Sequence, residues 1–219
     1  MPSVADPPIG EPGDQAEQEA AAVAAGAPPA LLTGGPPIVR RLGANPGCNA
    51  AESAAVHQAI FDARGWLNKA IPQLQAKPLP APVVGSLGRN FGPTYGVVAN
   101  AQLIAGRLVT ARNELSTIPI GCAGAADATC AAGHCGYAAA AGSHAATICS
   151  NVTLAAGVDA VFRAGCVLHE SLHAAFSRFN VDEYSGWHGH STSTGTYPGT
   201  GTDPLLNADS YTTLVMDLS

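Results

Sequence analysis

Histidine, glutamate and histidine occupy positions 169, 170 and 173, in the stretch "HESLH". On a helix, residues four apart share one face, about one turn from each other. His169 and His173 can therefore turn one ring nitrogen each toward a single zinc ion. Glu170, beside them, can take the proton of a water that attacks a carbonyl and pass it to the leaving amine. The chemistry is metal-assisted hydrolysis. Catalytic zinc takes three protein ligands and keeps one position open, so one ligand must come from elsewhere. The pattern HExxHxxGxxH does not supply it, because Phe176 and Phe179 stand where glycine and histidine are needed. Two sources remain open. His188 and His190 lie in the glycine-rich stretch "SGWHGHSTSTGTYPGTG", and Asp182 stands nine residues past His173. Each is far enough along the chain to leave the helix and return.

The elements that must position these residues follow from periodicity. Val161, Phe162, Val167, Leu168, Leu172 and Phe176 surround the motif with apolar positions and predict a helix over 158–176 that packs into a core. An earlier helix starts after Asn49, with Glu52 three residues on as in a capping box. Its stripe is Val56, Ile60, Ala63, Leu67 and Ile71, and Pro72 with the "KPLPAP" segment ends it. A second helix is expected from Pro93 to Leu115, with Val97, Leu103 or Ile104, Leu108 and Leu115 inward. Three short pieces, "TIPIGC", "CGYAAAA" and "AATICS", read as strands or loops separated by turn residues. A last helix is expected over 206–217. Helices, then a small irregular sheet, then the motif helix make an α+β order.

Composition narrows the classes. Of 219 residues, 12% are charged, and the net charge is -6. That excludes a basic nucleic-acid binder and a highly charged disordered chain. No apolar run is long enough to span a membrane. Residues 1–44 are rich in Pro, Gly and Ala and read as a flexible leader. Within them, "EPGDQAEQEAAAVAAG" can form one helix capped by Asp14. The first ten residues lack the charge and apolar core of a standard signal peptide. The folded domain is expected over 45–219. Six cysteines, with no CxxC pair, suit disulfides formed in an oxidising compartment.

Two resemblances add to this reading. "HESLH" with Asp182, the late "NADSY" at 207–211, "GCNAAESAAVHQAI" at the front and "TCAAGHCGY" with "AATICS" in the middle resemble the deuterolysin family of zinc endopeptidases. These are the aspzincins, which include lysine-specific metalloendopeptidases. The resemblance spans residues from about 45 to the end. It implies a mainly helical zincin-like metalloprotease domain with a small irregular β-sheet. It also implies one zinc ion held by His169, His173 and Asp182, and Glu170 as general base.

The family element is Gly-Thr-x-Asp-x-x-Tyr-Gly. Here Phe179-Asn180 replaces Gly-Thr, and Tyr184 is one place early, with Ser185 at the tyrosine position. The resemblance implies Tyr184 as hydrogen-bond donor to the developing oxyanion, with Tyr211 or a loop histidine as the alternative. It implies Asp209 as a carboxylate for a substrate lysine on the amine side of the cut, although the assisting glutamate is replaced by Thr212. The other reading of Asp209 is a helix cap. Disulfides Cys48–Cys122 and Cys130–Cys149 are implied likewise, with Cys135 and Cys166 extra. Separately, residues 11–26 resemble the leader of cargo proteins of contractile injection systems.

The expectation is a secreted or injected zinc endopeptidase acting on protein or peptide substrates, with no nucleic-acid or membrane partner. The competing expectations are a catalytically degenerate metal-binding cargo or structural protein, and a zinc amidase for a non-protein substrate.

Overall fold

The computed structural model describes residues 45–138, 144–176 and 204–219. All of them belong to one unit, Arg41–Ser219. The leader, with its expected helix, lies outside the described residues.

Helix α1 spans Ala50–Gln75. It begins where local chemistry dictates: Asn49 Oδ1 accepts the Glu52 N–H at 2.9 Å, and Glu52 Oε2 accepts the Asn49 N–H at 2.8 Å. Two otherwise unpaired donors of the first turn are thus satisfied. Val56, Ile60, Ala63, Leu67 and Ile71 form the buried stripe as expected. Pro72 does not end the helix. It costs one hydrogen bond, but the last turn is held by Leu74, which is fully buried, and by Gln73 Nε2, which donates to the Leu218 carbonyl at 2.7 Å. Tertiary packing outweighs local propensity here.

Helix α2, Ala81–Phe91, was not expected, because prolines conceal its start. Proline fits the first turn of a helix, where its missing N–H is not needed. The register behind it is regular: Val83, Leu87 and Phe91 recur every fourth residue, and all are buried.

Helix α3 spans Val98–Glu114, beginning later than Pro93; Pro93–Tyr95 form a single 3₁₀ turn. Ile104, Leu108 and Leu115 face the core, whereas Val97 and Leu103 are exposed. Val97 is the extended residue that caps the helix, so it leaves the helical stripe.

The three expected pieces all become strands: β1 Ile120–Ala123, β2 Gly136–Ala138 and β3 Ala146–Cys149. A short helix α4, Ala128–Ala131, capped by Asp127, lies between β1 and β2. The strand order is β1-β3-β2. β1 pairs parallel with β3, placing Ile120 opposite Ala146. β2 pairs antiparallel with β3, placing Gly136 opposite Ile148.

The motif helix α5 covers Ala160–Ala175, and the Asp159 side chain caps it by accepting the Phe162 N–H at 2.6 Å. Val161 is exposed, contrary to expectation. From Ala164 to Ala174 every residue is buried, because α5 packs against α1, α3, β2, β3 and the last helix at once. A helix apolar on nearly all sides belongs at the centre of a fold. That last helix, α6, spans Ala208–Asp217. At its far end Asp217 Oδ2 accepts hydrogen bonds from Ser86 Oγ at 2.7 Å, Arg89 Nη2 at 2.9 Å and Asn90 Nδ2 at 3.0 Å, which clamps α6 to α2.

All six cysteines are paired. Cys48–Cys122 joins the start of α1 to β1, and Cys130–Cys149 joins α4 to β3. These are the two pairings the resemblance implied. The remaining two also pair, so that Cys135–Cys166 ties the residue before β2 to α5. The architecture is α+β, mainly helical with a small sheet. No described helix is long and apolar enough to cross a membrane.

Candidate metal centre

His169 and Glu170 are neighbours on α5 and His173 stands one turn on, and each is buried, at 6%, 5% and 5% exposure. The helix brings them together as the spacing predicts. His169 Nε2 and His173 Nε2 face each other at 3.1 Å. Two nitrogens on one tetrahedral zinc, each about 2.0–2.1 Å from the ion, are separated by about 3.3–3.4 Å. The observed separation is close to that value. Ligand atoms of all three side chains lie within 4.8 Å of one another. Two imidazole nitrogens and a carboxylate form a donor set of the kind zinc takes, so the residues present fit the ion.

Asp209 comes to this centre from α6. Its Oδ1 lies 2.9 Å from His169 Nδ1, on the side of the ring opposite Nε2. The ring N–H approaches off the line of a well-aligned hydrogen bond, so the pair is a close polar contact rather than a straight bond. Asp209 is not the helix cap. Asn207 has that role, its Oδ1 accepting the Asp209 N–H at 2.9 Å. Along the start of α6, Asn207 Nδ2, Ser210 Oγ and Thr212 Oγ1 are buried polar atoms without a hydrogen-bond partner among the described residues.

Glu170 is bounded on its other side by β2 and the third disulfide. Cys135 Sγ lies 3.8 Å from Glu170 Oε1. In a disulfide this sulfur carries no proton, so it packs against the carboxylate rather than donating to it. Cys135, Cys166 and Glu170 also cluster, but the two sulfurs are spent on each other. Gly136 supplies the remaining space. A β-carbon there would stand 2.9 Å from Glu170 Cγ and 2.6 Å from the Thr147 carbonyl oxygen.

Asp182 and Tyr184, and the alternative ligands His188 and His190, lie outside the described residues. Tyr211, the alternative donor, is described. It is fully buried, its hydroxyl donates to the Leu205 carbonyl at 3.1 Å, and it accepts from Arg107 Nη1 at 2.9 Å. The sequence reading did not anticipate the roles of Gly136 or Arg107. Cys166 was within reach, since it stands four residues before Glu170 on the same helix.

Comparison with known proteins yields no match: no protein family, curated protein or solved structure corresponds to this chain.

Proposed function

We propose that this chain is a zinc-dependent endopeptidase. The observation that carries the reading is the pair of buried Nε2 atoms turned toward each other at 3.1 Å, with the Glu170 carboxylate in the same cluster. Two ring nitrogens facing each other at this distance in a buried site are suited to sharing a cation. His169 and His173 would hold the ion, with Asp182 as third ligand. Zinc in such a site acidifies water and polarises a carbonyl.

The other steps belong to the chain. Glu170, carried on α5 against the edge strand β2, accepts the proton of the attacking water and delivers it to the leaving amine. Tyr184 donates to the developing oxyanion. The burial of His169, Glu170 and His173 strengthens electrostatic interactions at the site. Three disulfides suit an oxidising compartment, which fits a secreted or injected enzyme with an export apparatus reading the leader.

The test is zinc content and casein cleavage for the wild type and for Glu170→Ala, His169→Ala and Asp182→Ala. The expected result is about one zinc per chain and cleavage in the wild type. Glu170→Ala keeps zinc and loses cleavage, and the other two lose zinc. A wild type that binds zinc and cleaves no protein would defeat the endopeptidase reading.

A further inference from the structure

We infer that Asp209 is a positioning residue for His169 and not a substrate-binding carboxylate; the inference rests on the zinc reading above. Four observations support it. Asp209 Oδ1 is 2.9 Å from His169 Nδ1, with side-chain exposures of only 14% and 7%. That oxygen is buried, and among the described residues no other donor meets it. The alternative local use, capping α6, is already taken by Asn207. Finally, one turn further along α6 stands Thr212, which is fully buried and brings no second carboxylate.

The chemistry follows from the two nitrogens of imidazole. A carboxylate at Nδ1 favours the tautomer with the proton on Nδ1 and the lone pair on Nε2. Nε2 is the atom facing His173 Nε2. Asp209 therefore sets which nitrogen is available for the metal and restrains the ring. Carboxylates placed behind metal-binding histidines typically contribute about 10- to 100-fold in metal affinity.

The position of Asp209 is itself fixed from both ends of α6. Tyr211 is held by Arg107, which also donates to the Leu205 carbonyl just before the helix. Asp217 is held by Ser86, Arg89 and Asn90. The oxygen that faces His169 is thereby engaged by the ring. Cleavage is accordingly expected to show no preference for lysine after the cut that depends on Asp209.

The experiment uses the full oxidised chain. Zinc affinity is measured by competition with a chromophoric chelator for the wild type, Asp209→Asn and Asp209→Ala. Cleavage is mapped on peptides carrying lysine or norleucine after the scissile bond. The imidazole nitrogen shifts of His169 are read by NMR in the metal-free chain. Asp209→Ala is expected to weaken zinc binding about 10- to 100-fold, with Asp209→Asn, which keeps an acceptor, less affected. The lysine-to-norleucine ratio stays unchanged, and His169 loses its Nδ1-protonated preference.

Unchanged zinc affinity with a collapse of lysine cleavage would overturn the inference. If Asp209→Ala does not fold, Asp209→Asn and the wild-type His169 tautomer decide, and an Nε2-protonated His169 in the wild type counts against it. A wild type that binds no zinc sinks the reading of function instead, and the tautomer then decides the Asp209–His169 relationship alone.

Discussion

Gly136 and Glu170 meet across the boundary between strand β2 and helix α5 with no room for a side chain between them: a β-carbon at Gly136 would lie 2.9 Å from Glu170 Cγ and 3.2 Å from Ile148 Cδ1. The glycine is required for space, and it lets the edge strand lie directly on the candidate general base. Gly136→Ala is expected to destabilise the fold by about 1–3 kcal/mol, the usual cost of overpacking. It should lower peptide cleavage more than zinc affinity, because the side chains it meets are Glu170 and Ile148 and not a histidine. Thermal melts, chelator competition and kcat measured on one preparation check this, and a wild-type kcat would contradict it.

Asp217 concentrates three donors from α2 on one carboxylate oxygen. Asp217→Ala leaves Asn90, which is buried, without that acceptor. Hydrogen bonds to a charged group contribute about 1.5–3 kcal/mol each at most, and the exposed Arg89 arm adds little. A loss of roughly 2–3 kcal/mol is expected, read as a lower urea midpoint with unchanged slope. Arg89→Ala should cost under about 1 kcal/mol.

Thr212 gives a prediction of opposite sign. Its hydroxyl is fully buried with no hydrogen-bond partner among the described residues. An unmet buried hydroxyl costs about 1–3 kcal/mol, so Thr212→Val is expected to be neutral or to raise Tm. A clear fall in Tm would mean that the hydroxyl has a partner in solution.

Asp127 sets an acid limit on the disulfide-linked corner. Its carboxylate is held below the usual 3.8 chiefly by the Cys130 N–H; burial opposes this, and the Tyr137 hydroxyl and Thr129 N–H assist it. The folded chain therefore binds the proton less readily than the unfolded chain. The resulting stability is complete above the unfolded value of 3.8 and disappears as pH falls through the lower folded value. Melts of the wild type and Asp127→Asn should differ at about pH 6 and converge near about pH 2. A difference that persists unchanged at the acid end would refute the assignment.

What could be read from the sequence was local. The Asn49–Glu52 box, the α1 stripe and the His169–Glu170–His173 turn all depend on residues within a few positions of one another, and helical spacing suffices for them. Helix α2 was hidden because prolines that usually stop a helix here begin one. Pro72 misled for the converse reason: Leu74 and the Gln73 contact to Leu218 carry the helix past it. Asp209 was visible as a residue of interest, but its partner stands forty positions earlier. Only the packing of α6 on α5 turns a substrate carboxylate into a neighbour of His169. Gly136 carried no sequence signal at all, because its role is the volume it leaves empty.

The cross-links described above enclose the chain from Cys48 to Cys166, and α6 lies beyond them. That helix is held by noncovalent contacts, among them the Arg89–Asp217 pair. Local opening follows the weakest cooperative unit, so α6 can swing away while the sheet and α1 stay covalently stapled. Such breathing would bare the Asp209 side of His169 without unfolding the domain. The lifetime of a bound ion would then be timed by the undocking of one ten-residue helix, and its escape would quicken in mild denaturant well before the domain melts. Amide hydrogen exchange should show the same order, with α6 exchanging ahead of β1 and β3.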